Sequence, residues 1–220
     1  MKEHKLRVAF LGDSITHGDC VADKNNSYVN RTIKHFGWED VQNHSLPGSR
    51  IGNYIGEDPR RIGPSFVERY QNMPEGFELV IVFGGTNDFG IGNEPVGTAA
   101  DKTADTFCGA LNLLLTGLKE KYPSALILFM TPLHRRNELE SNTFTGAAFK
   151  EYIEAIRERV KAHEVRLLDL YEAKSLQPTE VYYEKMIRKD GIHPNDEGHS
   201  LIAAELIAYL ENNCSIFPEK

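Results

Sequence analysis

Leu79-Val80-Ile81-Val82-Phe83, running into Gly84-Gly85-Thr86-Asn87-Asp88, is the stretch that decides the fold. Five consecutive apolar residues without a charge leave no face for water. They read as a central strand of a parallel sheet, covered on both sides. The Gly-Gly pair and the polar residues after it end the strand in a loop, and a long Gly-rich loop to about Gly97 is expected. Working outward, residues 6–10 (with Arg7 as the sole charge) and 125–130 have the same character. Short strands are also expected over residues 41–43 and 165–168.

Helical patterns separate these runs. They cover residues 27–36 with Asn26 or Ser27 as cap, 64–70, 101–122, 144–163 and 195–213. Leu111, Leu114, Leu115 and Leu118 share one side of the third. Leu201, Ile202, Leu206, Ile207 and Leu210 face inward on the last. Residues 169–189 read as irregular or partly helical. Strands alternating with helices predict an α/β fold, a three-layer α/β/α sandwich around a mainly five-stranded parallel sheet. Right-handed crossovers favour the flavodoxin-like strand order 2-1-3-4-5. With no repeat, low-complexity tract or linker, residues 1–220 are expected to form one domain.

The net charge of −7 argues against nucleic acid as a partner, because that backbone calls for a basic surface. No run is long enough to span a membrane, and the charged start lacks a signal-peptide core and cleavage site. No membrane partner and a cytoplasmic location are therefore expected. Cys20, Cys108 and Cys214 are odd in number, far apart and without a C-x-x-C spacing. They read as free thiols, with Cys108 in the core, rather than as a disulfide framework or structural zinc site.

In a parallel sheet the loops after successive strands emerge on one rim, where active sites form. The first such loop is Leu11-Gly12-Asp13-Ser14-Ile15-Thr16, the second contains Gly48 and the third Asn87. Lys189-Asp190-Gly191-Ile192-His193-Pro194 precedes the last helix. Each piece has a plain structural reading: Ser14 as a helix cap, Asn87-Asp88 as a turn, Asp190-Gly191 as a turn, His193 as a surface residue. Together they supply what acyl transfer needs. Ser14 is a hydroxyl nucleophile, His193 a base and Asp190 a carboxylate that can orient its Nδ1. The backbone N–H groups of Ser14 and Gly48 and the side-chain amide of Asn87 can serve as oxyanion donors.

These blocks resemble the SGNH (GDSL-type) esterase and acylhydrolase family. The resemblance rests on Gly12-Asp13-Ser14-Ile15-Thr16, on Gly48 in Asn43-His44-Ser45-Leu46-Pro47-Gly48, on Gly85-Thr86-Asn87-Asp88 and on Asp190-Gly191-Ile192-His193-Pro194. The blocks span nearly the whole chain in the family's order. The second is the least specific, and Ser45 stands where many members have Gly. The resemblance implies the three-layer fold, the catalytic set Ser14, Asp190 and His193, and the oxyanion donors Ser14, Gly48 and Asn87, with no metal or cofactor. Thr16 replaces the second glycine of a G-x-S-x-G elbow, which argues against the other large parallel-sheet hydrolase class.

Two rival readings use the same residues. Asp190, His193, Asp196 and His199 make a compact acidic and imidazole cluster that a metal hydrolase would use. The Gly-rich loops would also suit a non-catalytic sugar- or anion-binding module, although neither G-x-G-x-x-G nor Walker A occurs. Residues 89–96, 133–142 and 171–188 are expected to shape the pocket. Their mix of Phe89, Ile91, Tyr182 and Tyr183 with Arg135, Arg136, Lys185 and Arg188 favours a small-molecule ester: a small acyl group, such as acetyl, on a polar or carbohydrate alcohol. A lysophospholipid or acyl-thioester is the alternative. Tyr182 and Tyr183 read equally as sugar platform or core, and Arg135 and Arg136 as solvated charge. Oligomeric state is not readable from these residues.

Overall fold

The computed structural model describes residues 5–56 and 63–213. Cys214 lies outside the described residues. The strands are β1 (Arg7–Gly12), β2 (Asp40–Ser45), β3 (Leu79–Phe83), β4 (Leu126–Met130) and β5 (Arg166–Leu168). All pair in parallel, in the order β2-β1-β3-β4-β5. This is the expected sheet and the expected order.

Alternation across β1, β3 and β4 divides the core in two. Ala9, Leu11, Val80, Val82, Ile127 and Phe129 face α3 (Phe66–Arg69), α5 (Phe107–Lys121) and α6 (Phe149–Ala162). Val8, Phe10, Leu79, Ile81, Phe83, Leu128 and Met130 face α2 (Tyr28–Phe36) and α8 (Asp196–Asn213). Every residue of β3 is buried, which is why its sequence carries no polar alternation. Leu111, Leu114, Leu115 and Leu118 of α5 are fully buried, and Cys108 joins them. On α8, Ile202, Leu206 and Leu210 are fully buried, while Leu201 and Ile207 pack at the margin. No helix among the described residues is long and apolar enough to cross a membrane.

Three elements differ from the sequence expectation. The loop after β3 contains a six-residue helix, α4 (Thr86–Ile91). Glycines at 84, 85, 90 and 92 concealed it. The helix expected from residue 101 begins at Phe107, with Thr106 as its cap. Asp101 instead anchors a turn, accepting from Thr98 N, Thr98 Oγ1 and Thr106 Oγ1 at 2.9 Å each. The helix expected from residue 144 begins at Phe149, because Asn142 Oδ1 holds Phe144 N and Thr145 N at 2.8 Å in a turn. The segment after β5 includes a short helix, α7 (Glu180–Lys185).

Candidate active site

Ser14 opens a four-residue helix, α1 (Ser14–His17), directly after β1. The Asp13 carboxylate caps it by accepting from Ile15 N at 2.9 Å. A Cβ on Gly12 would overlap the Thr16 side chain, so only glycine lets α1 fold back so closely on the strand. As the first helical residue, Ser14 has an amide with no acceptor inside its helix. The residue is 6% exposed, largely shielded from solvent.

His193 reaches this hydroxyl from the far end of the chain. Ser14 Oγ and His193 Nε2 are 2.9 Å apart. On the other side of the ring, His193 Nδ1 lies 2.9 Å from Asp190 Oδ2. A carboxylate can only accept, so Nδ1 carries the proton and the lone pair of Nε2 points at Ser14. Asp190 Oδ1 accepts from the backbone N–H groups of Ile192 and His193, both at 2.9 Å. Burial pushes Asp190 up, but these two amides and the imidazole outweigh it and hold the carboxyl below the usual range. The segment is fastened by Arg188 N donating to His193 O at 2.8 Å and by a bridge between Ile187 and Pro194.

Gly12, Ser45 and Phe83 end β1, β2 and β3 at one level of the sheet. Beyond Ser45, Leu46 N donates to Gly12 O at 3.0 Å, and the chain turns through Gly48 at φ +74°. That left-handed conformation suits glycine. Asn87, on α4, donates from Nδ2 to Ser49 O at 3.0 Å and toward Asp13 Oδ2 at 3.4 Å. Its amide therefore bridges the residue after Gly48 and the residue before Ser14. The amides named in the sequence thus belong to three loops that Asn87 ties together.

Residues the sequence reading did not single out hold these loops. Arg69 donates from Nη2 to Gly12 O at 2.9 Å and to Ser49 Oγ at 2.8 Å, and from Nη1 to His44 O. Asp88 Oδ1 accepts from Ile51 N and Gly52 N at 2.9 Å each. Arg50 pairs with Glu94, both buried. Burial raises Glu94 and Asp88, and their mutual repulsion adds to the rise at Glu94. Burial also raises Asp13 to about 7. The only sequence signal for these residues was position: Asp13 and Asp88 adjoin Ser14 and Asn87, and Arg50 follows Gly48 by two.

Arg135 is not a solvated charge. It is 4% exposed, its Nη1 donates to Thr86 O at 2.8 Å, and its guanidinium covers the Phe89 ring. Phe89 and Tyr182 are core residues too; the Tyr182 hydroxyl donates to His134 O at 3.1 Å. Arg136 stacks on Tyr183, 4.7 Å from its ring centre.

The rival cluster does not come together. Asp196 accepts from Ala22 N and Asn26 Nδ2, both at 2.8 Å. His199 is fully buried, and its Nδ1 accepts from Tyr28 N at 3.1 Å. Burial lowers His199 to about 4.

A five-stranded parallel sheet, order β2-β1-β3-β4-β5, with a hydroxyl, an imidazole and a carboxylate in line at 2.9 Å steps is the frame of a hydrolase acting on carboxylic esters. Residues 10–201 match the model of the GDSL-like lipase/acylhydrolase family, and the chain belongs to that family. Among solved structures it is similar to a protein from Lactobacillus plantarum, at 29% identity over 96% of this chain and 99% of that one, with a TM-score of 0.81. A lipase/acylhydrolase from Enterococcus faecalis shares the fold at 19% identity, 98% and 100% coverage and a TM-score of 0.61. A carbohydrate esterase family 2 enzyme from Corynascus thermopiles does so at 20% identity, 96% and 67% coverage and a TM-score of 0.67. No curated protein matches the chain significantly.

Proposed function

We propose that the chain hydrolyses small acyl esters of a polar alcohol, acetyl esters of carbohydrates foremost, through an acyl-enzyme on Ser14. The observation that carries this reading is the line from Ser14 Oγ through His193 to Asp190, with 2.9 Å at each step. His193 Nε2 takes the hydroxyl proton as Oγ bonds to the ester carbonyl carbon. The carbonyl electron pair moves onto oxygen, where Ser14 N, Gly48 N and Asn87 Nδ2 donate to it. The tetrahedral adduct collapses, the C–O bond to the alcohol breaks, and His193 returns the proton to the leaving oxygen. Water repeats the sequence on the acyl-enzyme and frees the acid. Asp190 stabilises the imidazolium formed in each half.

Two bulky residues of the pocket-shaping segments add no apolar surface for a long acyl chain, and Tyr182, read as sugar platform or core, is core. Phe89 and Tyr182 are buried in the core rather than facing the rim. The groups that fix the Ser14 turn are polar instead: Asp13 caps α1 through Ile15 N, and Asn87 Nδ2 donates to Ser49 O.

Hydrolysis of p-nitrophenyl esters from acetate to palmitate, by wild type and Ser14→Ala, tests both parts. Fast turnover of acetate that disappears in Ser14→Ala is expected, followed by release of acetate from acetylated sugars. Faster turnover of palmitate would move the substrate to lysophospholipids or acyl-thioesters. Turnover that survives in Ser14→Ala would remove the acyl-enzyme.

A further inference from the structure

Cys20, in the loop after α1, has no part in the chemistry above, yet it stands beside it. One ligand atom from each of Cys20, Asp190 and His193 lies within 4.8 Å of the other two. Among the described residues this is the one group of three such side chains that converges. Its members come from opposite ends of the chain. The loop that carries Cys20 is fastened on both flanks: Asp19 N donates to Ser14 O at 2.9 Å, and Ala22 N donates to Asp196 at 2.8 Å. Arg188 Nη1 also donates to Cys20 O at 3.0 Å, joining this loop to the His193 segment.

The three donors are chemically suited to one kind of ligand. A thiolate, an imidazole and a carboxylate are the donor types of Zn2+ sites with an open fourth position. Bond lengths of about 2.0–2.3 Å to a tetrahedral ion place neighbouring donors roughly 3.3–3.6 Å apart, a small rotamer adjustment from the present spread. Cys20 and His193 are half-buried and Asp190 is exposed, so an ion can enter from solvent. The cations near the thiol, Arg188 and Lys24, are matched by Asp19 and Asp190.

We propose that Cys20, Asp190 and His193 bind one thiophilic divalent cation of the Zn2+ class, and that the bound ion switches hydrolysis off. The ion displaces two protons: that of the thiol leaves to solvent and that of His193 Nδ1 moves to Nε2, which frees lone pairs on sulfur, Nδ1 and the carboxylate for the metal. A ring held by the metal at Nδ1 and protonated at Nε2 cannot take the proton of Ser14. The switching half rests on the reading of Ser14 and His193 given under Proposed function; the binding half does not.

The test titrates Zn2+ into the purified chain in competition with a chromophoric chelator, with p-nitrophenyl acetate turnover followed in the same samples. Wild type, Cys20→Ser and Cys20→Ala are compared, each against its own metal-free rate, and EDTA is added at the end. One ion per wild-type chain is expected, with rate lost in step with occupancy and restored by EDTA. Both Cys20 variants should need at least about tenfold more Zn2+ for the same occupancy and inhibition, because the soft donor is gone. No binding by wild type, or equal affinity in all three chains, overturns the site. Binding without loss of rate overturns the switch. A wild type inactive without metal would instead count against the hydrolase reading, and the binding titration would still decide the site.

Discussion

Asn87 has two hydrogens on its amide nitrogen and uses them unequally. One goes to Ser49 O at 3.0 Å; the other faces Asp13 Oδ2 along a 3.4 Å line. In the proposed reaction the second is the one a substrate oxyanion would claim, since a full developing charge at shorter range is the better acceptor. Burial raises Asp13 to about 7, so near neutral pH its carboxyl is partly protonated and competes less for that hydrogen. Asn87→Ala and Asn87→Asp, which both lack the donor, should lower kcat by about 10²–10³ with KM changed far less. Steady-state kinetics on the acetate ester decide it, and a kcat near wild type in either variant removes Asn87 from the oxyanion site. At this scale the sequence pointed to residues whose chemistry is distinctive: Ser14 and Asn87, each soon after a strand, and Asp190 and His193, just before the last helix. It concealed Arg50 and Glu94, whose pairing joins positions 44 residues apart with no periodicity to mark it. Cys20 was equally hidden, since a lone thiol in a polar loop gives no sign of its neighbours.

The inner strands β1, β3 and β4 were legible because burial leaves an apolar run, complete in β3; the edge strands β2 and β5 are only partly buried and left a weaker signal, yet all five fall close to where the sequence placed them. Helix starts were less so. Asp101 has the side chain of an N-cap but holds the turn from Thr98 to Thr106, while Thr106 caps the helix. Helix α4 is short and framed by glycines, and its position depends on Arg135 reaching Thr86 from 49 residues away. Arg69 is the comparable device for the Gly48 loop, fastening the ends of β1 and β2 to Ser49 with one guanidinium. Arg69→Met should leave these acceptors short of a partner and cost about 1–3 kcal/mol of stability. Displacement of the loop should reduce kcat by up to about 10²-fold. Arg69→Lys should not restore it, because an ammonium cannot span the three acceptors as a planar fork does. Thermal unfolding and ester kinetics on the pair test this; full activity in Arg69→Met would show that the loop keeps its place unaided.

Across the whole molecule, the two ends of the chain are locked together through α8. Asp196 holds the loop at Ala22 and Asn26, and His199 accepts from Tyr28 N at the start of α2. Buried His199, lowered to about 4, is neutral in the native state, whereas an unfolded chain protonates it below about 6.5. The unfolded state therefore binds more protons between those values. The stability that depends on the neutral ring is complete above about 6.5 and is lost as pH falls toward 4, by on the order of 3 kcal/mol. His199→Asn, which keeps an acceptor but does not titrate, should be less stable than wild type at pH 8 and should close the gap by pH 4.5. Unfolding curves at both pH values check it; an equal gap at each would mean that protonation of His199 is not the source. None of this was readable beforehand, because His199 sits in an acidic helix start that suggests a surface residue.

The nucleophile candidate is the fourteenth residue and its partner imidazole the one hundred and ninety-third, with four of the five strands of the sheet between them. During synthesis the hydroxyl therefore emerges well before the group that would activate it. Under the proposed mechanism a partial chain ending before residue 193 would carry an inert serine, and turnover would begin only once the His193 segment had reached the end of β1. Catalysis in such a molecule is a report on finished assembly: a nick, a stalled ribosome or a misplaced C-terminal helix would each silence it before any change at Ser14 itself.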